Sequence, residues 1–575
     1  MKRLTLALLA ALPAAAQDAS PQPEAGTGLT EQGEATATEY IVAAANPLAA
    51  QAGADVLAAG GSAADAAVAV QMMLNLVEPQ SSGIGGGAFA VYWDASEGSL
   101  TTFDGRETAP QAAREDYWLG ADGEPPASFW DAVIGGRSVG VPGTLALLDH
   151  MHARHGRTPW ADLLQPTIDM AEAGFEISPR LAASIEGAMD RDLARFEETA
   201  AYFFEEDGSP KAAGTTLANP AFARTLRLIA AEGIAPFYTG AIAGDIVAAV
   251  QTESNAGILT LEDFAAYEVI ERPPVCVTYR VHDVCGMGPP SSGALTVGQI
   301  LGMLNSFELS AMEPPYAWHM YLEAARLAYA DRGKYMADSD FVDMPTEGLI
   351  DPEYLADRAT LIDPVTSMGE AEAGLPAWDE TRLWSPDTSP DRAGTSHFVI
   401  VDRHGDMISM TTTIETGFGS RVMTNGFLLN NELTDFSFRP EGDAGPIANR
   451  VEGGKRPRSS MAPTIVMTDG APSILIGSPG GSRIINYVAG SLVQMIDFGM
   501  GPLAAISDGH VVNRNGATDL EEGSDAVEFE TVLQELGHET NVRDLNSGLH
   551  VVAIGEDGTM TGAADPRREG AVIGE

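Results

Sequence analysis

Residues 396–414 read SHFVIVDRHGDMISMTTTI, two β-forming runs around the turn RHGD, each with apolar side chains on both faces. Side chains of a strand alternate between two faces, so a hairpin that is apolar on both must be covered on both. An open sheet with one wet face is excluded. Further strand-like runs follow in APTIVMT, PSILIGS and GLHVVAIGEDGTM, and the N-terminal half supplies helices. NPLAAQAGADVLAAGG has proline early and glycines late, the usual start and stop of a helix. Ser62 is placed to cap the next helix, AADAAVAVQMMLNLV, whose all-round apolar surface marks it as buried. Helices rich in Ala and Leu dominate residues 143–330. Two strand-rich layers flanked by helices predict an α/β fold of four layers.

The hairpin begins abruptly. Residues 363–394 are acidic, Pro-rich and aperiodic, and Thr395 stands where they meet the strand. A threonine hydroxyl is a weak nucleophile unless a base adjoins it. Its own α-amine, with a reference pKa of roughly 7.7–8.0, is one such base. That amine exists only if the chain is cut between Gly394 and Thr395. A glycine at 394 tolerates the strained backbone that attack on its own carbonyl needs. The alternative is an ordinary strand entry.

Other features bound the possibilities. A net charge of −48 repels phosphates, which excludes a nucleic-acid role and suits a solvating acidic surface in a salty environment. Residues 1–16, MKRLTLALLAALPAAA, have the layout of a signal peptide, and residues 17–39 read as a disordered linker. The apolar run is too short to span a bilayer, so an exported protein without a membrane span is expected, periplasmic or secreted. Cys276 and Cys285 flank a turn at Arg280-Val281, which would set them opposite each other for a cross-strand disulfide; two buried thiols are the alternative. His150, His152 and His155 lack a metal-site signature and read as a solvated helix face. DSDFVD at 338–343 lacks the glycine and closing Glu of a calcium loop. In ILIGSPGGSRIINYV, the Gly480 and Gly481 amides open a helix and suit an anion or oxyanion, as a plain tight turn would also explain. No G-x-S-x-G elbow is present.

From about residue 43 to 570 the chain resembles the γ-glutamyltransferase (glutathione hydrolase) family of N-terminal-nucleophile hydrolases. The resemblance rests on motifs in order, among them EPQSSGIGGGAF, DGRETAP, GTSHFVIVD, LLNNELTDFS, GKRPRSSMAPTI, GSPGGSRI and ADPRREG. It implies an αββα sandwich made as one precursor, which cuts itself into a large subunit (40–394) and a small one (395–575) that pair as a heterodimer. It implies that Thr395 is the nucleophile of both cleavage and catalysis, that Thr413 supports it, and that Gly480 and Gly481 form the oxyanion hole. Arg106, Ser459 and Ser460 match groups that hold a substrate α-carboxylate; Glu432 and Asp435 match groups that hold its α-ammonium.

Two departures stand out. Glu415 replaces the asparagine many members carry two residues after the supporting threonine, and adds a third carboxylate near the expected ammonium position. The segment 438–454 looks shorter than in members with a lid, which favours water as acceptor. The expected activity is attack on γ-glutamyl amides such as glutathione through a Thr395 ester, resolved by water or an amino acid. No cofactor or metal is expected. The rivals are a glutaryl- or cephalosporin-type acylase of the same fold and a non-catalytic binding protein.

Overall fold

A computed structural model of the 575-residue chain describes residues 29–30, 32–378, 384–387 and 394–575; the signal-peptide segment 1–16 lies outside them. Two seven-stranded sheets dominate. In the first, the hairpin Thr395–Val401/Met407–Thr413 is central, flanked by Ile41–Ala44 on one side and Gly87–Asp94 on the other. Thr395 pairs with Thr413 and Val401 with Met407. The second sheet runs, in spatial order, through Ala35–Ala37, Met560–Ala564, His550–Ile554, Ala471–Gly477, Thr464–Thr468, His282–Gly286 and Val275–Tyr279.

The two-faced hairpin explains the layering. Val399, Val401 and Met407 point into an apolar layer shared with Ile465, Leu475 and Val552 of the second sheet. Phe398, Ile400, Ile408 and Met410 point the other way, into a core built with the helices Pro47–Ala58 and Ala63–Val77. Each such side chain contributes roughly 1.5–3 kcal/mol on full burial. A second helical layer, Gly293–Leu304, Pro314–Tyr335 and Ile484–Ile496, covers the far face of the second sheet. Helix, sheet, sheet, helix is the expected αββα sandwich. As the sequence indicated, Ala63–Val77 is buried at every position, and Ser62 and Asp65 close a capping box at its start.

Two readings are corrected. The supposed linker 17–39 contains a strand, Ala35–Ala37, paired with Met560–Gly562 near the opposite end of the chain; three residues carry no local pattern, and pairing alone makes the strand. The three histidines form a face that is only partly solvated: the His150 side chain is 41% exposed, whereas His155 stacks on Tyr92 with ring centroids 4.1 Å apart. His150 meets Glu271 at 2.7 Å and His152 meets the Thr158 carbonyl at 2.8 Å. The cysteines pair in register and form the disulfide Cys276–Cys285 across the Arg280-Val281 turn, where Arg280 takes φ 57°.

Candidate active site

The site lies where the two sheets end together. Thr395 opens its strand on the face shared by His397 and Val399, so its side chain emerges between the sheets and is buried. Opposite runs Ala471–Gly477, tied across by the Ser409 hydroxyl, which donates to the Ile476 carbonyl at 3.1 Å. Close approach of the sheets explains Gly477, where a Cβ would lie 2.3 Å from the His397 ring. That strand delivers Ser478-Pro479-Gly480-Gly481 and then the helix Ile484–Ile496. Gly480 (φ 136°) and Gly481 (φ 60°) both adopt backbone that side chains disfavour, and a Cβ on Gly480 would meet Tyr487 at 2.6 Å.

Around the junction, the Thr395 hydroxyl donates to Thr413 Oγ1 at 3.4 Å, and the Thr413 hydroxyl donates to the Gly394 carbonyl at 2.5 Å. Thr413 Oγ1 also accepts from the Glu415 amide at 2.8 Å. Thr413 is thus hydrogen-bonded to both sides of the Gly394–Thr395 bond. A Cβ at 394 would lie 2.3 Å from the Glu415 carbonyl oxygen, so glycine is required there by close approach of the 415–417 backbone.

A narrow cleft joins Thr395 to Thr413, Glu415, Glu432 and Asp435 on one wall and to Arg106, Ser459, Ser460 and Gly481 on the others. All the sequence-selected residues except Gly394, Gly480 and the cysteines line it. The groups expected to hold opposite ends of a substrate hold each other here. Arg106 is buried; one guanidinium nitrogen donates to Glu432 and the other to Asp435 at 2.5 Å. Its remaining bonds go to the carbonyls of Pro457 (3.2 Å) and Arg458 (3.0 Å). Burial lowers the pKa of that guanidinium, but Glu432, Asp435 and Glu107 together outweigh the effect and raise it.

Carboxyls crowd this wall of the cleft. Burial, then Asp435 and Glu432, hold the Glu415 carboxyl well above the ordinary carboxylate range. Burial pushes Glu432 up to about 7 against the pull of Arg106. Burial and Glu432 likewise raise Glu107.

Sequence reasoning missed several residues. Arg458 lines the cleft and pairs with Asp387 at 3.1 Å. Arg332 donates to the Ser460 hydroxyl at 2.6 Å, and Arg568 to the Thr395 carbonyl at 3.2 Å. Arg568 stands in the motif ADPRREG, whose presence was visible but whose destination was not, and Arg332 ends the run LAYADR at 327–332. A buried trio, His319, Glu323 and His538, also gathers donor atoms within 4.8 Å of one another. Its ring nitrogens are engaged in sequence: His319 with the Asp363 carbonyl (2.8 Å), His319 with His538 (2.7 Å), and His538 with Arg326 (3.3 Å). That chain makes the trio a structural tie between residues before 394 and after 395.

A family model described as gamma-glutamyltranspeptidase matches residues 49–575. The chain belongs to the γ-glutamyltranspeptidase family. It is 36% identical over 547 residues to the glutathione hydrolase proenzyme of Bacillus subtilis (strain 168), covering 93% of this chain and 91% of that one. It is 33% identical over 570 residues to the acylase ACY 1 proenzyme of Pseudomonas sp. (strain V22), covering 96% of each. The crystal structure of cephalosporin acylase from Bacillus halodurans superposes with a TM-score of 0.83 at 26% identity, over 98% of this chain and 99% of that chain. The family is one of self-cleaving precursors that give two subunits, with hydrolase and transferase members built on the N-terminal-nucleophile fold. Among the described residues no helix is long and apolar enough to cross a membrane.

Proposed function

We propose that the protein is an exported γ-glutamyl hydrolase and transferase that matures by cutting itself between Gly394 and Thr395. The observation that carries the reading is the cleft itself, which sets Thr395 beside the buried Arg106 guanidinium, two serine hydroxyls and a carboxylate wall. Those are the complements of an α-carboxylate and an α-ammonium on one carbon.

In maturation, Thr395 Oγ1 attacks the Gly394 carbonyl, which the Thr413 hydroxyl polarises. The C–N bond breaks, the Thr395 nitrogen takes up the hydroxyl proton, and the chain is held by an ester. Water cleaves that ester, leaving the Gly394 carboxylate and a free threonine α-amine. The halves stay together as a heterodimer, because the hairpin that begins at Thr395 pairs on both edges with strands from before the cut.

In turnover, the α-amine accepts the hydroxyl proton and Oγ1 attacks the γ-carbonyl of the donor. The Gly480 and Gly481 amides stabilise the oxyanion. The leaving amine departs with the proton, and water or an amino acid releases the γ-glutamyl group from its ester. Arg106, Ser459 and Ser460 hold the α-carboxylate; Glu432, Asp435 and Glu415 hold the α-ammonium.

The similarity to cephalosporin acylase favours one second reading, a glutaryl-type acylase with the same nucleophile. Assay of the processed protein on γ-glutamyl and glutaryl anilides decides between them. The first reading expects higher kcat/KM on the γ-glutamyl anilide, and turnover of the glutaryl anilide alone overturns it.

A further inference from the structure

A free α-amine has a reference pKa of roughly 7.7–8.0, so at pH 7 most of it is an ammonium that cannot take a hydroxyl proton. The nucleophile that cleavage creates therefore needs surroundings that favour the neutral amine. Strand geometry says where that amine lies. In an antiparallel strand the N–H and C=O of one residue point to the same edge, and successive residues alternate between edges. Thr395 stands opposite Thr413, yet its carbonyl accepts from Arg568 at 3.2 Å. Its nitrogen is thus turned to that same edge, away from the Met407–Thr413 strand. The strand Ile41–Ala44 covers the edge only from Phe398 onward, and Arg568 reaches it at Thr395.

Arg568 is buried and firmly held. Its guanidinium also donates to the carbonyls of Ser547 (2.8 Å) and Asn546 (3.5 Å). Its stem crosses Gly548, where a Cβ would lie 2.6 Å from the Arg568 Cδ. The nitrogen and carbonyl oxygen of one residue are about 3 Å apart, so the guanidinium sits roughly 4–6 Å from the future amine, the range in which a like charge disfavours protonation. That charge is felt next door. Burial lowers His550 to about 4 against the pull of Asp565, and Arg568 adds to the lowering.

We propose that Arg568 is a positioning residue for the nucleophile: it fixes Thr395 through its carbonyl and, by its charge, keeps the α-amine freed by cleavage unprotonated near neutral pH. The inference rests on the maturation proposed above.

Other ionisable groups surround the same residue. Glu78 accepts from the Ser396 hydroxyl at 2.8 Å and pairs with Arg180, whose amide donates to Glu569 at 2.8 Å. Burial keeps His397 and His550 neutral, and Asp565 pairs with Arg567 at 3.1 Å. Beside the Gly480-Gly481 turn, Arg483 is turned to Asp519 at 2.8 Å. The cleft side presents Arg106, Arg458, Glu415, Glu432 and Asp435. All of these are common to wild type and an Arg568 variant, so the difference between the two reads Arg568.

The test follows kcat/KM of the processed protein on a γ-glutamyl anilide against pH, where the acid limb reports the base of the free enzyme. Removing the cation raises the pKa of the amine. In Arg568→Gln the limb should therefore move up by about one pH unit, a tenfold loss below the limb and little loss above it. Arg568→Lys keeps the charge and should return the limb to its wild-type position. A uniform loss at every pH, with the limb unmoved, makes Arg568 merely structural and overturns the inference. Acetylation of the Thr395 α-amine by acetic anhydride, followed against pH by mass of the small fragment's first peptide, should show the same displacement. Should Arg568→Gln not mature, that titration of the wild type decides. A midpoint at least about one unit below the reference value upholds the inference, and a smaller displacement refutes it. A wild-type chain that stays uncut presents no such amine and overturns the maturation reading itself.

Discussion

Replacing Gly394 by alanine adds one methyl group at the residue that supplies the scissile carbonyl. That Cβ would lie 2.3 Å from the Glu415 carbonyl oxygen, 2.6 Å from the Gly417 nitrogen and 2.6 Å from the Thr416 carbonyl carbon. All three are backbone atoms, so no side chain can swing aside, and residue 394 must retreat by about 1 Å to restore ordinary contact. A displacement of that size at a reacting carbonyl costs on the order of 100-fold in rate. It also breaks the 2.5 Å bond from Thr413 to the same carbonyl. Self-cleavage, followed by intact mass over time after translation, should therefore slow at least ~100-fold in Gly394→Ala. Gly244→Ala serves as a control, because a Cβ there meets nothing within 4 Å; its processing should match wild type. Gly394→Ala maturing at the wild-type rate would refute the close-approach argument.

Thr413→Val keeps the shape of the side chain but removes the donor to Gly394 and the acceptor of the Glu415 amide. Processing should slow by about 10²–10³-fold, the range for losing one oxyanion donor, and Thr413→Ser should recover most of it. Acid should destabilise the folded protein through its buried histidines. Burial, with Arg568 opposing protonation further, lowers His550 to about 4. Its stabilising contribution is complete above the unfolded value near 6.5 and is lost as pH falls through about 4, roughly 3 kcal/mol in all. The melting temperature of the processed protein should drop between pH 6.5 and 4, and less steeply in His550→Asn; identical slopes would exclude His550 as a contributor.

Much of this architecture was legible because it is local. The hairpin's two apolar faces dictate burial on both sides, and its register follows from the short turn 402–406. The capped helix Ala63–Val77 and the cross-strand cysteines are similarly written in short-range pattern. The strand Ala35–Ala37 was not, because its partner lies more than five hundred residues away and three residues have no period. Within the site, residue identities were readable through family motifs, but their pairing was not. Arg106, Glu432 and Asp435 were assigned to opposite ends of a substrate, and nothing in their spacing says that they pair with one another. Nor does sequence reveal that Gly394 is constrained by the 415–417 backbone rather than by its own torsions.

The central claim is that Thr395 becomes an N-terminal nucleophile carrying the acyl group. Intact-mass analysis of the purified protein, before and after a rapid quench from a γ-glutamyl anilide, tests it most directly. The account expects a large fragment ending at Gly394 and a small one beginning at Thr395, with a γ-glutamyl adduct on the small fragment's first residue after the quench. Thr395→Ala should give one uncut chain with no adduct. A wild-type chain that remains intact and turns over substrate, or an adduct on any other residue, would contradict it.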